Sequence, residues 1–131
     1  MPELTIGNLT AQIPVIQGGM GVGISLSGLA SAVAEQGGIG VISSVGLSTI
    51  YDYDKAHYKE ANAELLKQEI RKARQQTSGI IGVNIMVALT DYKDLVKAAI
   101  EEQADILFLG AGLPLHFPQE YSGENLKKVK S

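Results

Sequence analysis

The segment from Gly18 to Gly23 is the first place in the sequence where residue types and spacing suggest chemistry. Four of its six residues are glycines, and it lies between a short apolar stretch and a helix-like pattern. Because glycine has no Cβ, the backbone N–H groups of such a loop can approach a ligand closely. A helix N-terminus behind the loop favours an anionic ligand. The alternative is a tight turn whose glycines only allow the helix to pack closely.

The spacing of these glycines differs from that of the known nucleotide-binding loops. In the dinucleotide pattern G-x-G-x-x-G, the third glycine position falls on Ile24 or Leu26, depending on which glycine is taken as the first. The next apolar segment ends in Ser43-Ser44 and supplies no carboxylate for a ribose. No Gly-Lys-Ser/Thr follows the loop, which excludes a Walker A motif. A ligand site of another kind and a purely structural turn both stay open.

Asn84 is a polar residue inside the apolar run Ile80–Val87. Alternation along a strand places it on one face with Gly82 and Met86, opposite the β-branched residues of the run. A buried amide without a partner costs roughly 1–3 kcal/mol, so Asn84 is predicted to bond to backbone, water or a ligand. Its donors and acceptor suit the mixed edge of a heterocycle such as the pyrimidine ring of a flavin. The alternative is a bond to the backbone of a neighbouring strand.

The remaining reactive residue types form no recognisable site. His57 and His116 are both predicted in loops, and neither has a metal-ligating residue at a suitable spacing. There is no Gly-x-Ser-x-Gly nucleophile motif, and there is no cysteine for thiolate chemistry or disulfides. The sequence therefore assigns no metal and no catalytic residue.

Alternating strand and helix patterns position these candidates. A hairpin is predicted over Leu4–Ile6 and Leu9–Ala11, because Gly7-Asn8 suits a two-residue turn. The other predicted strands are Ile13–Gln17, Ile39–Ser43, Ile80–Val87 and Ile106–Leu109, and the predicted helices lie over 26–34, 60–76 and 92–100. Ser25 or Ser27 is expected to cap the first helix, and Thr90 or Asp91 the third. The intervening segment Val45–Tyr58 is long for a βα loop, which indicates a functional or mobile loop.

These patterns predict an α/β protein. Strands that are apolar on both faces need helices on both sides of a parallel sheet, or a barrel inside a helical jacket. The 131 residues, 45% of them hydrophobic, are predicted to form one domain over 1–131, with 119–131 a polar tail. A net charge of −3 gives no indication of a nucleic-acid or membrane partner. The start of the chain resembles no signal peptide and no apolar run could span a membrane, so a cytoplasmic location is predicted.

Several of these segments together resemble the nitronate monooxygenase family, formerly called 2-nitropropane dioxygenase. The family also includes flavin-dependent enoyl-acyl-carrier-protein reductases. The resemblance extends from about Ile6 to Pro114. The segments that carry it are Pro14–Gly21, Leu29-Ala30, Gly37–Ser43, Gly82–Met86 and Gly110–Pro114.

The resemblance implies a TIM barrel that binds FMN at the C-terminal ends of its strands. Gly18, Gly19 and Met20 would pass over the flavin ring, and Asn84 would bond to the ring edge. Gly110 and Gly112 would line the same mouth of the barrel. A full barrel takes ~250 residues, so this chain corresponds to the N-terminal half, with about four parallel strands, three helices and the hairpin. The catalytic histidine and the FMN phosphate site of the family are expected after Ser131.

The function implied is that of an FMN-dependent oxidoreductase that oxidises alkyl nitronates with molecular oxygen. A first alternative is NAD(P)H-dependent reduction of an enoyl thioester on the same scaffold. A second is a non-catalytic half-barrel that binds no flavin alone, and a third is an open flavodoxin-like sheet. A half-barrel would expose edge strands and apolar surface, so another chain or a second copy is expected to supply the missing half.

Overall fold

Residues 1–51, 55–113 and 115 are described by the computed structural model of the chain. They form a small hairpin, a parallel sheet and the helices that connect its strands. The elements are β1 (Leu4–Ile6), β2 (Leu9–Ala11), α1 (Ser27–Glu35), β3 (Ile39–Ser43), α2 (Leu47–Ile50), a 3₁₀ helix (Lys55–His57), α3 (Tyr58–Gln76), β4 (Ile80–Met86), α4 (Tyr92–Glu101) and β5 (Ile106–Gly110).

Strands β3, β4 and β5 form the parallel sheet in that order, with β4 in the centre. Helices α1, α3 and α4 share one hydrophobic core with the β4 residues Ile81, Val83 and Ile85, which are fully buried. Since alternate residues of a strand point to opposite faces, these three helices lie on the same face of the sheet. Helices on one face are typical of a barrel wall, whereas a doubly wound sheet has them on both. The predicted partial barrel is therefore confirmed, and the flavodoxin-like alternative is wrong.

The opposite face of the sheet carries a smaller cluster of buried residues. It contains Ile39, Val41 and Ile106 from the sheet and Ala11 from the hairpin. The hairpin is confirmed, with Ile6 paired to Leu9 across the turn. It covers the end of the sheet where the strands begin. The end where the strands finish, around Asn84, stays partly exposed.

The predicted strand Ile13–Gln17 is not a regular strand. It pairs with β3 through a single parallel bridge between Ile16 and Ile39. The Gln17 N–H donates to the Ile39 carbonyl at 3.1 Å, and the Ile39 N–H donates to the Val15 carbonyl at 2.9 Å. The sheet thus has three strands and one irregular edge segment in place of four strands. The pairing stops because the side chain of Gln17 takes over the next hydrogen bonds to β3.

Neither predicted helix cap makes the expected side-chain hydrogen bond. Leu26 occupies the N-cap position of α1, and the first-turn N–H of Ser27 donates to Glu69 Oε2 at 2.9 Å. Asp91 is the N-cap residue of α4, but its carboxylate accepts from Asn62 Nδ2 at 2.8 Å. At α1, Glu69 of α3 thus takes the role that a local cap was predicted to fill, whereas at α4 the predicted capping carboxylate is occupied by Asn62 of α3.

The long segment Val45–Tyr58 contains α2 and the 3₁₀ helix, with residues 52–54 outside the described part of the chain. The predicted polar tail 119–131 and His116 also lie outside the described residues. No helix in the described ranges is both long enough and apolar enough to cross a membrane. A cytoplasmic location stays a prediction.

Candidate functional site

The parallel register brings the ends of three strands to one edge of the sheet. Asn84 on the central strand pairs with Ser43 on β3 and with Phe108 on β5. The glycine-rich loop Gly18–Gly23 leaves the irregular edge segment beside β3 at the same end. The carboxyl ends of barrel strands are where ligands bind in this type of fold. The sequence candidates therefore meet at the edge where a site is expected.

The backbone of Gly19 lies directly against the side chain of Asn84. A Cβ built on Gly19 would lie 2.6 Å from Asn84 Cβ and 3.1 Å from Asn84 Cγ. Real Cβ atoms essentially never approach so closely, so only glycine fits this position. At Gly18, by contrast, an added Cβ would meet nothing within 4 Å. The loop is in van der Waals contact with Asn84 at one glycine and open to a ligand at its neighbour.

Asn84 is partly exposed, not fully buried as the sequence predicted. Asn84 lies on the predicted face of β4, opposite the helices, because its neighbours Val83 and Ile85 are fully buried on the helix side. Its Nδ2 donates to the Phe108 carbonyl at 3.4 Å, which is long for such a bond. Within the described ranges, Oδ1 makes no hydrogen bond. The predicted alternative, a bond to the backbone of a neighbouring strand, is therefore correct for the amide nitrogen of Asn84. The amide oxygen is left for water or a ligand.

Gly110 and Gly112 lie at the end of β5, beyond the position paired with Asn84. Gly110 pairs with Met86, and its carbonyl accepts from the Val87 N–H at 2.8 Å. An added Cβ would meet nothing within 4 Å at Gly110, but would lie 3.0 Å from Val87 Cβ at Gly112. The two glycines thus flank the end of the central strand. No hydrogen bond joins them to the glycine-rich loop in the described structure.

The second half of the glycine-rich loop packs on the segment after β3. The Val22 N–H donates to the Val45 carbonyl at 3.0 Å, and a Cβ on Gly21 would lie 2.9 Å from Val45 Cβ. Val22 has a φ of +52°, an outlier for a β-branched residue that costs of order 1–3 kcal/mol. The side chain of Met20, a predicted site residue, is 60% exposed. The loop is held in a strained shape that presents apolar side chains outward.

Two side chains that sequence reasoning did not select hold the first half of this loop. Gln17 bonds through its amide to both backbone groups of Val41. Ser25 is 1% exposed, and its Oγ accepts from the Met20 N–H at 2.9 Å. The sequence predicts Ser25 only as a possible helix cap. The sequence did contain signals for both: Gln17 is a polar residue at the end of an apolar segment, and Ser25 follows the glycines closely.

Glu69 on α3 holds the helix that follows the loop. It is 2% exposed, and accepts hydrogen bonds from the Ser27 N–H, Tyr51 Oη and Lys72 Nζ at 2.9, 3.0 and 2.8 Å. Burial raises the pKa of this carboxyl, but the three hydrogen bonds outweigh it and lower the pKa to about 2. Glu69 is therefore an ionised anchor that joins α1, α3 and the end of α2.

The described residues contain no group of three or more His, Asp or Glu side chains that could hold a metal ion. His57 ends the 3₁₀ helix before α3 and is exposed. No hydrogen bond of the described structure joins it to the glycine-rich loop or to Asn84.

The fold and this edge define a class of protein, the N-terminal part of a (β/α) barrel. In this class a glycine-rich loop packs on an asparagine near the end of the central strand. The sequence profile described as "nitronate monooxygenase" matches residues 3–122. The chain belongs to the nitronate monooxygenase family, whose members are FMN-dependent oxidoreductases. The resemblance inferred from the motifs is confirmed.

Solved structures support the same relationship. FabK from Thermotoga maritima is 31% identical with a TM-score of 0.64, and the match covers 88% of this chain and 32% of FabK. A point mutant of the same protein is 34% identical with a TM-score of 0.69, over 88% of this chain and 34% of that one. The chain therefore spans about a third of the length of these structures. None of the curated proteins matches it.

Proposed function

We propose that the strand-end edge of this chain binds the ring system of FMN. The observation that carries the proposal is the contact between Gly19 and Asn84. A flat heterocycle needs backbone that approaches without a Cβ, together with mixed donors and acceptors at the ring edge. The open space at Gly18 and the unused Oδ1 of Asn84 supply both.

In this proposal each candidate residue has a separate role. Gly18, Gly19 and Met20 lie over the ring, and Asn84 bonds to its edge. Gly110 and Gly112 line the mouth on the far side of the central strand. FMN, when bound, supplies the redox chemistry of the family, and the chain positions the ring and limits access of water.

The reaction we propose is that of an FMN-dependent oxidoreductase of the nitronate monooxygenase type, with alkyl nitronate and molecular oxygen as substrates. The family match over residues 3–122 supports it. A second candidate is NAD(P)H-dependent reduction of an enoyl thioester, which the likeness to FabK favours. The two differ in their electron donor. Oxygen consumption with a nitronate, compared with NAD(P)H oxidation with an enoyl thioester, separates them in the enzyme with its barrel complete.

We further propose that a second half-barrel, from another chain or from a second copy, completes this site. The edge segment beside β3 supports this, because Val15 and Ile16 are 49% and 44% exposed there. An unpaired edge with apolar side chains is a surface for pairing. Light scattering during size-exclusion chromatography measures the mass. A monomeric particle of 13.9 kDa that neither aggregates nor recruits a partner would contradict the proposal that a second half-barrel completes the site.

The ring-binding proposal is tested by titrating the chain with FMN and with lumiflavin, which has the same ring but no phosphate. The candidate residues address the ring alone, so we expect both ligands to bind with similar affinity and with quenched flavin fluorescence. A chain that binds neither is the non-catalytic half-barrel of the alternative hypothesis. Binding of FMN without binding of lumiflavin would place recognition at the phosphate and contradict the roles of Gly19 and Asn84.

A further inference from the structure

The side chain of Gln17 replaces one step of backbone pairing between the edge segment and β3. In a regular parallel ladder, after the bridge between Ile16 and Ile39, the Val41 N–H would donate to the Gln17 carbonyl and the Gly19 N–H to the Val41 carbonyl. Here Gln17 Oε1 accepts from the Val41 N–H at 3.2 Å, and Gln17 Nε2 donates to the Val41 carbonyl at 3.1 Å. The side-chain amide therefore does what the Gln17 carbonyl and the Gly19 N–H would otherwise do.

This substitution releases the Gly19 N–H from the sheet. In the described part of the chain, the N–H groups of Gly18 and Gly19 make no hydrogen bond to protein. Gly19 is also the glycine packed on Asn84. The freed Gly19 donor therefore belongs to a residue that packs on Asn84 at the ends of the strands, and the Gly18 donor belongs to the preceding residue.

Ser25 holds the same stretch of backbone from the other side. Its Oγ accepts from Gln17 Nε2 at 3.0 Å and from the Met20 N–H at 2.9 Å, and it donates to the Gly18 carbonyl at 3.2 Å. Its N–H donates to the Met20 carbonyl at 2.9 Å. The Gly18 carbonyl and both backbone groups of Met20 are thus used internally, which leaves the N–H groups of Gly18 and Gly19 as the donors of the stretch from Gly18 to Met20.

We infer that Gln17 and Ser25 are positioning residues that present the Gly18 and Gly19 N–H groups to acceptor atoms of a bound heterocycle. This role rests on the proposed flavin site, because the ligand whose acceptors are bonded is the flavin ring. The structural part of it, a freed Gly19 N–H, is independent of any ligand.

Amide hydrogen exchange tests the structural part without a ligand. We expect the Val41 amide to exchange slowly and the Gly19 amide to exchange quickly in the unmodified chain, since only the first has a partner. Protection of the Gly19 amide equal to that of Val41 would overturn the proposal. This result is readable whether or not the chain binds flavin, so it separates failure of the positioning role from failure of the proposed function.

Variants at Ser25 and Ser31 test the effect on binding. Both serines are buried and both make side-chain hydrogen bonds, but Ser31 bonds to Gly28 and Gln76, away from the loop. We expect Ser25→Ala to weaken lumiflavin binding about 5- to 15-fold, the equivalent of one neutral hydrogen bond, and to shift the visible spectrum of the bound flavin. Ser31→Ala should lower thermal stability about as much as Ser25→Ala does, but it should leave the lumiflavin affinity and the spectrum of the bound flavin unchanged. Equal effects of the two variants on affinity would mean a merely structural role and would overturn the proposal.

Gln17→Glu adds a readout that depends on pH. The carboxylate keeps an acceptor for the Val41 N–H but loses the donor to the Val41 carbonyl, and the apposed oxygens raise the pKa of the new carboxyl. We expect lumiflavin affinity to be reduced at neutral pH and to recover as the pH falls through that raised pKa, whereas the unmodified chain shows no such recovery. Affinity that is independent of pH in the variant would contradict the donor role of Gln17.

Discussion

The backbone of Gly19 and the side chain of Asn84 occupy adjoining positions so closely that a Cβ on Gly19 would lie 2.6 Å from Asn84 Cβ. One residue belongs to a loop that has left the sheet, and the other to the central strand. Their contact unites two features that lie 65 positions apart in the sequence. It also makes specific predictions, because other positions of the chain supply matched controls.

Gly19→Ala should displace the loop from Asn84. The added methyl group overlaps Asn84 Cβ and Cγ, and overpacking of this kind costs about 1–3 kcal/mol. We expect flavin binding to weaken at least about tenfold, measured by fluorescence titration. Gly28→Ala is the control, because Gly28 is an exposed residue of α1, outside the loop, and its added Cβ would also meet nothing within 4 Å of protein. If both variants bind flavin like the unmodified chain, the loop does not need to lie against Asn84.

Asn84→Ala should weaken flavin binding while leaving the strand intact. The substitution removes the free Oδ1 and the long bond from Nδ2 to the Phe108 carbonyl. A loss of about 5- to 15-fold in affinity is expected for one ring-edge hydrogen bond. Ser48→Ala serves as the control, because Ser48 is a buried residue of α2 whose backbone N–H, bonded to Asn62, is unchanged by the substitution. Equal affinities of the two variants would exclude Asn84 from the ring edge.

Glu69→Gln should change the dependence of stability on pH. The folded-state pKa of Glu69, about 2, is below its ordinary value of 4.5. Ionised Glu69 therefore contributes stability fully above pH 4.5, and that contribution is lost as the pH falls towards 2. We expect the variant to be less stable than the unmodified chain at pH 7. Between pH 4.5 and pH 2 it should lose less stability than the unmodified chain, as measured by urea unfolding. Glu60→Gln, an exposed change on the same helix, should leave the profile unaltered.

A steeper loss of stability in Glu69→Gln than in the unmodified chain over this acidic range would show that another carboxylate governs acid unfolding. Tyr51→Phe offers a second comparison, because it removes one of the three donors to Glu69. Its effect should have the same sign as that of Glu69→Gln and be smaller, by the share of one hydrogen bond.

Val22→Gly should be tolerated or stabilising, unlike most exposed substitutions by glycine. Val22 has a φ of +52° and is 64% exposed, so glycine relieves backbone strain and loses little burial. Ile24→Gly is the control: Ile24 is 62% exposed and its φ is not positive. We expect Val22→Gly to be more stable than Ile24→Gly by about 1–2 kcal/mol in urea unfolding. The reverse order would mean that the loop is not strained at Val22.

The sequence alone determined the hairpin, the order of the three long helices and the three sheet strands, and the family of this protein. Periodicity of apolar residues identifies α3 and β4, and it placed Asn84 on the correct face of its strand, because these patterns depend on neighbours in sequence. The motif set from Pro14 to Pro114 identified the family for the same reason, since motif order is a property of the chain itself.

Only the tertiary structure decided how the candidate site is held. Ile13–Gln17 has the composition of a strand, but its pairing ends because the Gln17 amide bonds to Val41, a residue distant in sequence. The first-turn N–H of Ser27 is satisfied by Glu69, 42 residues further on, and not by a local cap. Both outcomes depend on which side chains meet across the folded chain, and propensities of adjacent residues carry no information about such contacts.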